Sequence, residues 1–187
     1  TLDFNGAYQA LSEAITDKKR TIDLNSCPAV YVKAAVMKDD PDLKNSLEEC
    51  QNLIRTKIVY IFGEETVTLE GDEIRNWLIF DERGRLQKNE DELRQYVAEY
   101  VAKLAATHDT VNTEREFCTT SGRTVQVYSS VYGWKIDQEK EIATIMQEVI
   151  AGVQINREPE YAMRANARGM NDIGSTYIEV DLSAQHL

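Results

Sequence analysis

The aromatic side chains are the residues of this 187-residue chain best suited to recognising a ligand. The candidates are Trp77, Tyr128, Tyr132 and Trp134, with Gly133 between the last two. Tryptophan and tyrosine combine a flat apolar ring with a polar group, so such a set can hold a sugar ring or a peptide. The alternative is that Trp77 and Trp134 anchor the hydrophobic core, and the sequence alone leaves both roles open.

Cysteine and histidine give little support for catalysis or metal binding. Cys27, Cys50 and Cys118 are an odd number at wide spacings, so they predict neither a disulfide framework nor a metal-binding pair. Cys118 and His108 are the only such residues close enough in sequence to suggest a nucleophile and its base, but no oxyanion-hole glycine motif adjoins Cys118. His186 is the second histidine, and there is no HExxH motif. We predict no metal and no cofactor, and a cysteine enzyme stays a third alternative for the function.

Acidic residues occur in short runs. They include residues 48–49, 64–65 and 90–92, and the stretch DDPD at 39–42. The last stretch lacks the alternating ligands, central glycine and terminal glutamate of an EF-hand calcium loop. We interpret all of these runs as helix caps and solvated helix faces.

The overall composition excludes several classes of partner. The chain has 21 Lys and Arg against 32 Asp and Glu, a formal net charge of −11, which argues against nucleic acid and anionic lipid as main partners. The strongest apolar run, residues 58–62, is far shorter than the roughly 18 residues of a membrane span, so none is predicted. The chain begins at Thr1 without an initiator Met or a leader, which suggests a processed or excised chain.

The first half of the chain alternates between helix and strand patterns. Asp3 precedes an apolar stripe at Ala7, Tyr8, Leu11 and Ile15, which predicts a capped helix. Extended segments follow at 21–24 and 30–32, then a helix over about 41–55 that begins with an acidic cap and a proline. Strands at 57–62 and 65–69 and a short helix from residue 71 complete this part.

The second half repeats the same kinds of element. A turn at 81–84 leads to a main helix over about 90–106, and residues 117–120 and 124–128 predict a β-hairpin around Gly122. Asp137 caps a helix over 138–151 that Gly152 can end, followed by strands at 154–155 and 176–182. The apolar positions of the first helix align in sequence with those of the 138–151 helix, and a strand is predicted after each. A duplicated helix–strand unit is therefore one interpretation. We predict an α+β fold, with antiparallel hairpins packed against three to four helices.

Two segments carry a resemblance to a known family. Residues 117–124, with the sequence FCTTSGRT, and 131–137, with the sequence VYGWKID, resemble the peptidoglycan-binding module that precedes the catalytic domain of bacterial L,D-transpeptidases. The upstream sequences VYIFG at 59–63, LEGD at 69–72 and IRNWL at 74–78 are similar to the same pattern. Residues 171–187 resemble the linker and first strand of the transpeptidase domain, and the family's catalytic His and Ser-x-Gly-Cys motif have no counterpart in the chain.

The resemblance implies three regions and a function. Residues 1–54 would form a helix–strand–helix segment, residues 55–155 the peptidoglycan-binding module, and residues 156–187 the linker and first strand of a truncated catalytic domain. The protein would be a noncatalytic, extracytoplasmic module of a cell-wall enzyme, membrane-anchored in the full-length protein. Its partners would be the glycan or stem peptide of peptidoglycan and the downstream catalytic domain. The alternative is a structural spacer between anchor and catalytic domain without affinity for the wall.

Overall fold

The computed structural model describes residues 2–27, 29–32, 40–169 and 172–182. The chain divides into two compact units, Thr1–Lys44 and Asn45–Leu187. His186 and residues 170–171, at the start of the predicted linker, lie outside the described residues. In the described part of the chain, no helix is both long enough and apolar enough to cross a membrane.

The first unit is built around helix α1, Phe4–Thr16. The Asp3 carboxylate caps it as predicted, by accepting hydrogen bonds from the backbone N–H groups of Asn5 and Gly6. The predicted apolar stripe is less buried than expected, because Tyr8 is 73% and Ile15 76% exposed. The helix instead buries Gly6, Ala7 and Ala14.

The strand predicted at 21–24 is wrong. Leu24–Ser26 forms a turn of 3-10 helix in its place. The Asp23 carboxylate accepts a hydrogen bond from the Asn25 N–H at 2.9 Å, and the Ser26 hydroxyl donates to the Asp23 carbonyl at 2.7 Å. Such local side-chain bonds favour a turn over extended backbone. Within the described residues, α1 is therefore not followed by the strand that a duplicated helix–strand unit requires.

The remaining helices agree closely with the sequence patterns. They are α2 (Pro41–Ile54), which begins at the end of the first unit, α3 (Gly71–Arg75), α4 (Glu90–His108) and α5 (Gln138–Ala151). Asn89 caps α4 and Asp137 caps α5, each through a side-chain oxygen that accepts a backbone N–H three residues later. Gly152 ends α5 with a φ of 64°.

In the part of the chain that the structure describes, seven strands form three small sheets. They are β1 (Lys57–Phe62), β2 (Glu65–Leu69), β3 (Glu114–Cys118), β4 (Thr124–Tyr128), β5 (Lys135–Ile136), β6 (Gln154–Arg157) and β7 (Tyr161–Met163). The predicted hairpins β1–β2 and β3–β4 are present, and β5 pairs with β7. Beyond the predicted antiparallel hairpins, β6 pairs with β1 in parallel, so that sheet is mixed. A strand that returns through a crossover helix can pair in this way, and α5 immediately precedes β6.

The hydrophobic core lies between β1, α4 and α5. Val97 and Val101 of α4 are completely buried, as are Ile145 and Val149 of α5. Trp77 and Ile136 join the same cluster. The α+β prediction is confirmed, because two helices cover one face of a small mixed sheet.

The strand predicted at 176–182 is reduced, over the residues that the structure describes, to a single β-bridge residue, Asp181. Segment 172–182 contacts the β3–β4 hairpin mainly through side chains. These contacts join Arg115 to Asp172, Phe117 to Tyr177, Thr120 to Glu179 and Arg123 to Asp181. Alternating apolar residues here reflect a segment that lies against a hairpin, not a strand of a sheet.

Candidate functional site

An open groove of about 580 Å³ lies between α2 and the start of α4. Its walls come from α2, from the segments 77–79 and 86–90, and from Leu93 and Ile150. We call it the α2–α4 groove. Concave sites of this size that are largely apolar, with a few polar groups, are typical of ligand-binding sites.

The floor of the groove is apolar. We use the name floor for the apolar lining residues Leu53, Trp77, Leu86, Leu93 and Ile150, and Leu78 and Ile79 also line the groove. Trp77 is only 5% exposed, and its ring packs edge-on against Tyr100 with 6.0 Å between the ring centroids. Trp77 is therefore both a core residue and part of the floor.

We call the polar lining residues the rim of the groove, and its charged members are mostly acidic. Glu48, Glu49 and Glu90 lie there with one cation, Lys88. The Lys88 ammonium pairs with the Glu49 carboxylate at 2.7 Å. Asn52 is fixed in place, because its side-chain N–H donates to the Ile150 carbonyl at 3.0 Å.

One edge of the groove is a tight turn that its own sequence specifies. The Asp81 carboxylate accepts the backbone N–H groups of Arg83 and Arg85 and the Arg85 guanidinium. These hydrogen bonds, led by that from the Arg85 backbone, lower the pKa of Asp81. The Gln87 N–H donates to the Ile79 carbonyl at 2.8 Å, which turns residues 79 and 87 toward the groove. The predicted turn at 81–84 is confirmed.

Sequence analysis found one residue of the groove, Trp77, and missed the others. The acidic runs at 48–49 and 90–92 were interpreted as solvated helix faces, and their first members do lie exposed at the rim. No motif joins the walls, because Asn45 and Ile150 are more than a hundred residues apart in the sequence. The one available signal was a tryptophan directly after a short helix.

The structure places the run Tyr132-Gly133-Trp134 at the junction of several segments. The Tyr132 hydroxyl donates to the Asp172 carbonyl at 2.9 Å and accepts the Asn166 N–H at 2.8 Å. The Trp134 indole N–H donates to the Ala167 carbonyl at 2.7 Å, and Trp134 is 7% exposed. These two side chains therefore hold Asn166, Ala167 and Asp172 in place.

A buried ion pair lies beside this run. The Arg115 Nε and the Asp172 Oδ1 are 2.5 Å apart, with the two side chains 3% and 1% exposed. Arg115 also donates to the carbonyls of Thr110 and Tyr132, and the Thr110 hydroxyl donates to Asp172. Gly133 is required here, since a Cβ would lie 2.6 Å from an Arg115 nitrogen and 2.7 Å from the Val111 nitrogen.

Trp134 forms an aromatic and cationic cluster with the C-terminal segment. The Arg168 guanidinium carbon lies 3.4 Å from the centroid of the Trp134 ring. Tyr161 packs edge-on against the same ring, with centroids 5.0 Å apart. Arg164 lies over the Tyr161 ring at 4.8 Å. One face of Trp134 is thus occupied by a cation of its own chain.

Tyr128 lies apart from these clusters, on β4. It is 61% exposed, and its hydroxyl donates to the Asn112 side chain at 3.1 Å. The structure thus separates the five candidate residues: Trp77 is at the groove, Tyr132, Gly133 and Trp134 are at the junction, and Tyr128 is on the hairpin surface.

A second cluster of charged side chains surrounds the buried carboxylate of Glu141. In this cluster the charged groups are hydrogen-bonded to one another, which favours a structural role over a catalytic one. Glu141 is completely buried and accepts hydrogen bonds from the Tyr60 hydroxyl, the Arg157 guanidinium and the Glu160 N–H. Burial, together with the Glu141 charge, raises the pKa of Tyr60. Burial alone would lower the pKa of Arg157, but hydrogen bonds to Glu141 and Glu148 raise it. The cluster fixes α5 against β1 and β6.

The structure gives no support to the alternative in which Cys118 is a nucleophile and His108 its base. His108 stacks on Phe62 with 3.8 Å between ring centroids, and Cys118 is exposed on β3. Neither side chain hydrogen-bonds the other among the residues that the structure describes. Over the same residues, no cluster of three or more His, Cys, Asp or Glu side chains could hold a metal ion.

Comparison with known proteins gives one family and one fold. Residues 85–156 match the family described as "Putative peptidoglycan binding domain". The fold is similar to the carbamoyl enzyme formed by Ldtfm with avibactam, at 21% identity and a TM-score of 0.51, over 71% of this chain and 50% of that one. It is also similar to a cysteine-to-serine mutant of the Enterococcus faecium L,D-transpeptidase, at 24% identity and a TM-score of 0.52, over 74% of this chain and 54% of that one.

The chain thus spans about half the length of the solved structures it matches. A search of curated proteins gave no significant match. The 85–156 region begins just before Leu86 and extends past Ile150, so it contains one wall of the α2–α4 groove.

Proposed function

We propose that this protein is a noncatalytic module that binds peptidoglycan outside the cytoplasm, as part of an L,D-transpeptidase-like cell-wall protein. The observation that carries the proposal is the α2–α4 groove, whose second wall lies in the region that matches the peptidoglycan-binding family. With a net charge of −11, the chain would be repelled by acidic wall polymers within a Debye length of about 8–10 Å. Affinity must therefore come from local contacts in a groove.

Within this proposal the predicted aromatic residues have different roles. Trp77 supports the floor of the groove and contacts ligand there. Tyr132 and Trp134 position other parts of the chain and do not contact ligand, because their side chains donate hydrogen bonds to the carbonyls of Asp172 and Ala167. Tyr128 stays a separate candidate contact, since its ring is exposed on the hairpin.

A sedimentation assay with purified peptidoglycan tests the site. Asn45→Trp puts an indole into the groove from an exposed position on α2. Gln51→Trp makes the same change on the same helix at an exposed position that does not line the groove. We expect Asn45→Trp to lower the bound fraction severalfold and Gln51→Trp to leave it unchanged.

The opposite results are equally informative. If both variants sediment like the parent chain while Tyr128→Ala is lost from the pellet, the hairpin carries the binding and the groove does not. If the unmodified chain stays in the supernatant, the binding function itself is wrong.

A second candidate function is a structural spacer, and one observation favours it. The contacts of segment 172–182 with the β3–β4 hairpin would fix the direction in which the chain continues. Glu179 accepts both the N–H and the hydroxyl of Thr120 at 2.8 Å, and Tyr177 packs edge-on against Phe117. A spacer would need this rigidity and no affinity for the wall.

Exchange of the module in the full-length parent protein tests the spacer. Deletion of the module should abolish cross-linking under both functions. Replacement by an unrelated domain of similar length should restore cross-linking if the module is only a spacer. Failure of the replacement, with the exchanged protein folded and exported, would count against that role.

A further inference from the structure

We infer that the α2–α4 groove takes a peptide segment with small apolar side chains and a primary ammonium group, in preference to a sugar ring. This inference rests on the proposed function, and it assigns the site to the stem peptide of peptidoglycan rather than to its glycan.

The floor argues for alkyl groups. A sugar ring binds best on the open face of an aromatic ring, because the flat apolar surface matches the ring's C–H groups. Trp77 is only 5% exposed and packs against Tyr100, so little of its ring is available for a sugar to stack on. The rest of the floor is leucine and isoleucine, whose branched side chains fit methyl groups and short alkyl chains.

The rim argues for a cation. Three carboxylates line it against one ammonium, and Lys88 is already paired with Glu49. Among the residues that the structure describes, Glu48 and Glu90 have no ion-pair partner, and both are exposed. Ile150 in the last turn of α5 also lines the groove, so the negative end of that helix dipole lies beside it.

These two features together select the ligand. A neutral sugar can only donate hydroxyl hydrogen bonds to the carboxylates, whereas an ammonium gains in addition a charge–charge attraction to Glu48 and Glu90. An alanine-containing peptide with a diamino acid supplies both the apolar contact and the ammonium, and its own carboxylates would have to lie away from the acidic rim. The overall charge of the chain does not decide this, since it would attract any cation to any part of the surface.

Calorimetric titration with three soluble probes tests the inference. The probes are a lysine-containing stem tetrapeptide whose N-terminus is acetylated, the same peptide with its lysine side chain acetylated as well, and a peptide-free disaccharide of the glycan. We expect the tetrapeptide with the free lysine side chain to bind, the lysine-acetylated peptide to bind about fivefold to tenfold more weakly, and the disaccharide not to bind, because a partly exposed ion pair contributes modestly.

A charge-neutral variant localises the contact. Glu48→Gln combined with Glu90→Gln should weaken binding of the tetrapeptide with the free lysine side chain to the level of the lysine-acetylated one. Glu64→Gln removes a carboxylate at an exposed position away from the groove and should change nothing. Circular dichroism establishes that each variant is folded.

The results separate the inference from the function beneath it. If the chain sediments with whole peptidoglycan but binds the disaccharide, or binds both peptides equally, the stem-peptide inference is overturned and the binding function stands. If it sediments with nothing and binds no probe, the proposed function fails as well.

Discussion

Gly133 has the most restricted backbone environment at the junction. Its φ is +141°, and a Cβ would come within 3 Å of Arg115, Val111 and Thr110. Gly133→Ala should lower the free energy of unfolding by more than about 2 kcal/mol, since backbone strain and a steric clash act together. Urea unfolding followed by fluorescence measures the change.

A second glycine supplies the matched control for this substitution. Gly122 also has a positive φ, +81°, but a Cβ there meets nothing within 4 Å. Gly122→Ala should lower the free energy of unfolding by only about 1 kcal/mol, because the positive φ disfavours alanine but no steric clash is added. Equal losses in the two variants would show that the close contacts at Gly133 contribute nothing.

His108 gives the fold a pH dependence. Burial lowers the pKa of His108 below its ordinary 6.5, with Arg168 acting in the same direction and Glu65 and Asp109 against it. As the pH falls through that value, the unfolded chain binds a proton before the folded chain does, so stability falls. Above it, both forms are neutral and the full stability is present.

Urea midpoints measured from about pH 7.5 to about pH 5.5 check this sign, because the window brackets the ordinary histidine pKa. His108→Gln cannot titrate and should show a flatter pH profile than the parent chain. The two profiles are compared by subtraction, which removes the contributions of the carboxylates that both proteins share. Parallel profiles would contradict the assignment.

At the scale of elements, Arg157 joins β6 to α5. It pairs with the completely buried Glu141 and with Glu148. Arg157→Ala should cost about 3–5 kcal/mol, because it leaves a buried carboxylate without its cation. Arg94→Ala removes an exposed pair with Glu139 between α4 and α5 and should cost less than about 1 kcal/mol. The stability of both variants is compared by thermal unfolding. If Arg157→Ala lost little stability, the hydrogen bonds from Tyr60 and Glu160 would be enough to stabilise the buried Glu141 carboxylate.

The helices were the most predictable elements, and for a local reason. Each of α2, α4 and α5 combines a cap with an apolar stripe, and both signals lie within a few residues of one another. The same sequence logic failed at 21–24, where Asp23 forms a turn, and at 176–182, where the segment packs against a hairpin. Short alternating patterns do not distinguish a strand from an extended segment, because the pairing partner is not encoded locally.

The groove was beyond sequence reasoning for a related reason. Its floor joins Leu53, Trp77, Leu86, Leu93 and Ile150, which come from five separate segments. Each of these residues alone matches a core or surface position of its own helix or turn. Only the packing of α2 beside α4 turns them into a site.

At the scale of the whole molecule, the core lies entirely within the second compact unit. Every member of the main cluster falls between Ile58 and Val149, and the residues that pack against it extend from Leu53 to Tyr161. A fragment of residues 40–187 keeps this core, the whole of α2 and the Asp40 side chain, which accepts the Asp42 N–H. It should unfold in a single cooperative transition.

A shorter fragment decides where the module begins. Residues 55–187 match the boundary that the sequence suggested, but they lack α2, which supplies a groove wall and places Asn52 against Ile150 and Gly152. We expect the free energy of unfolding of this fragment to be several kcal/mol lower than that of 40–187. Removing α2 exposes apolar surface that was buried, and each Å² of such burial stabilises the fold by about 25 cal/mol. It should also lose binding to peptidoglycan. If 55–187 matched 40–187 in urea midpoint and in sedimentation, α2 would be dispensable, and both the groove and the position of the boundary would need to be reassigned.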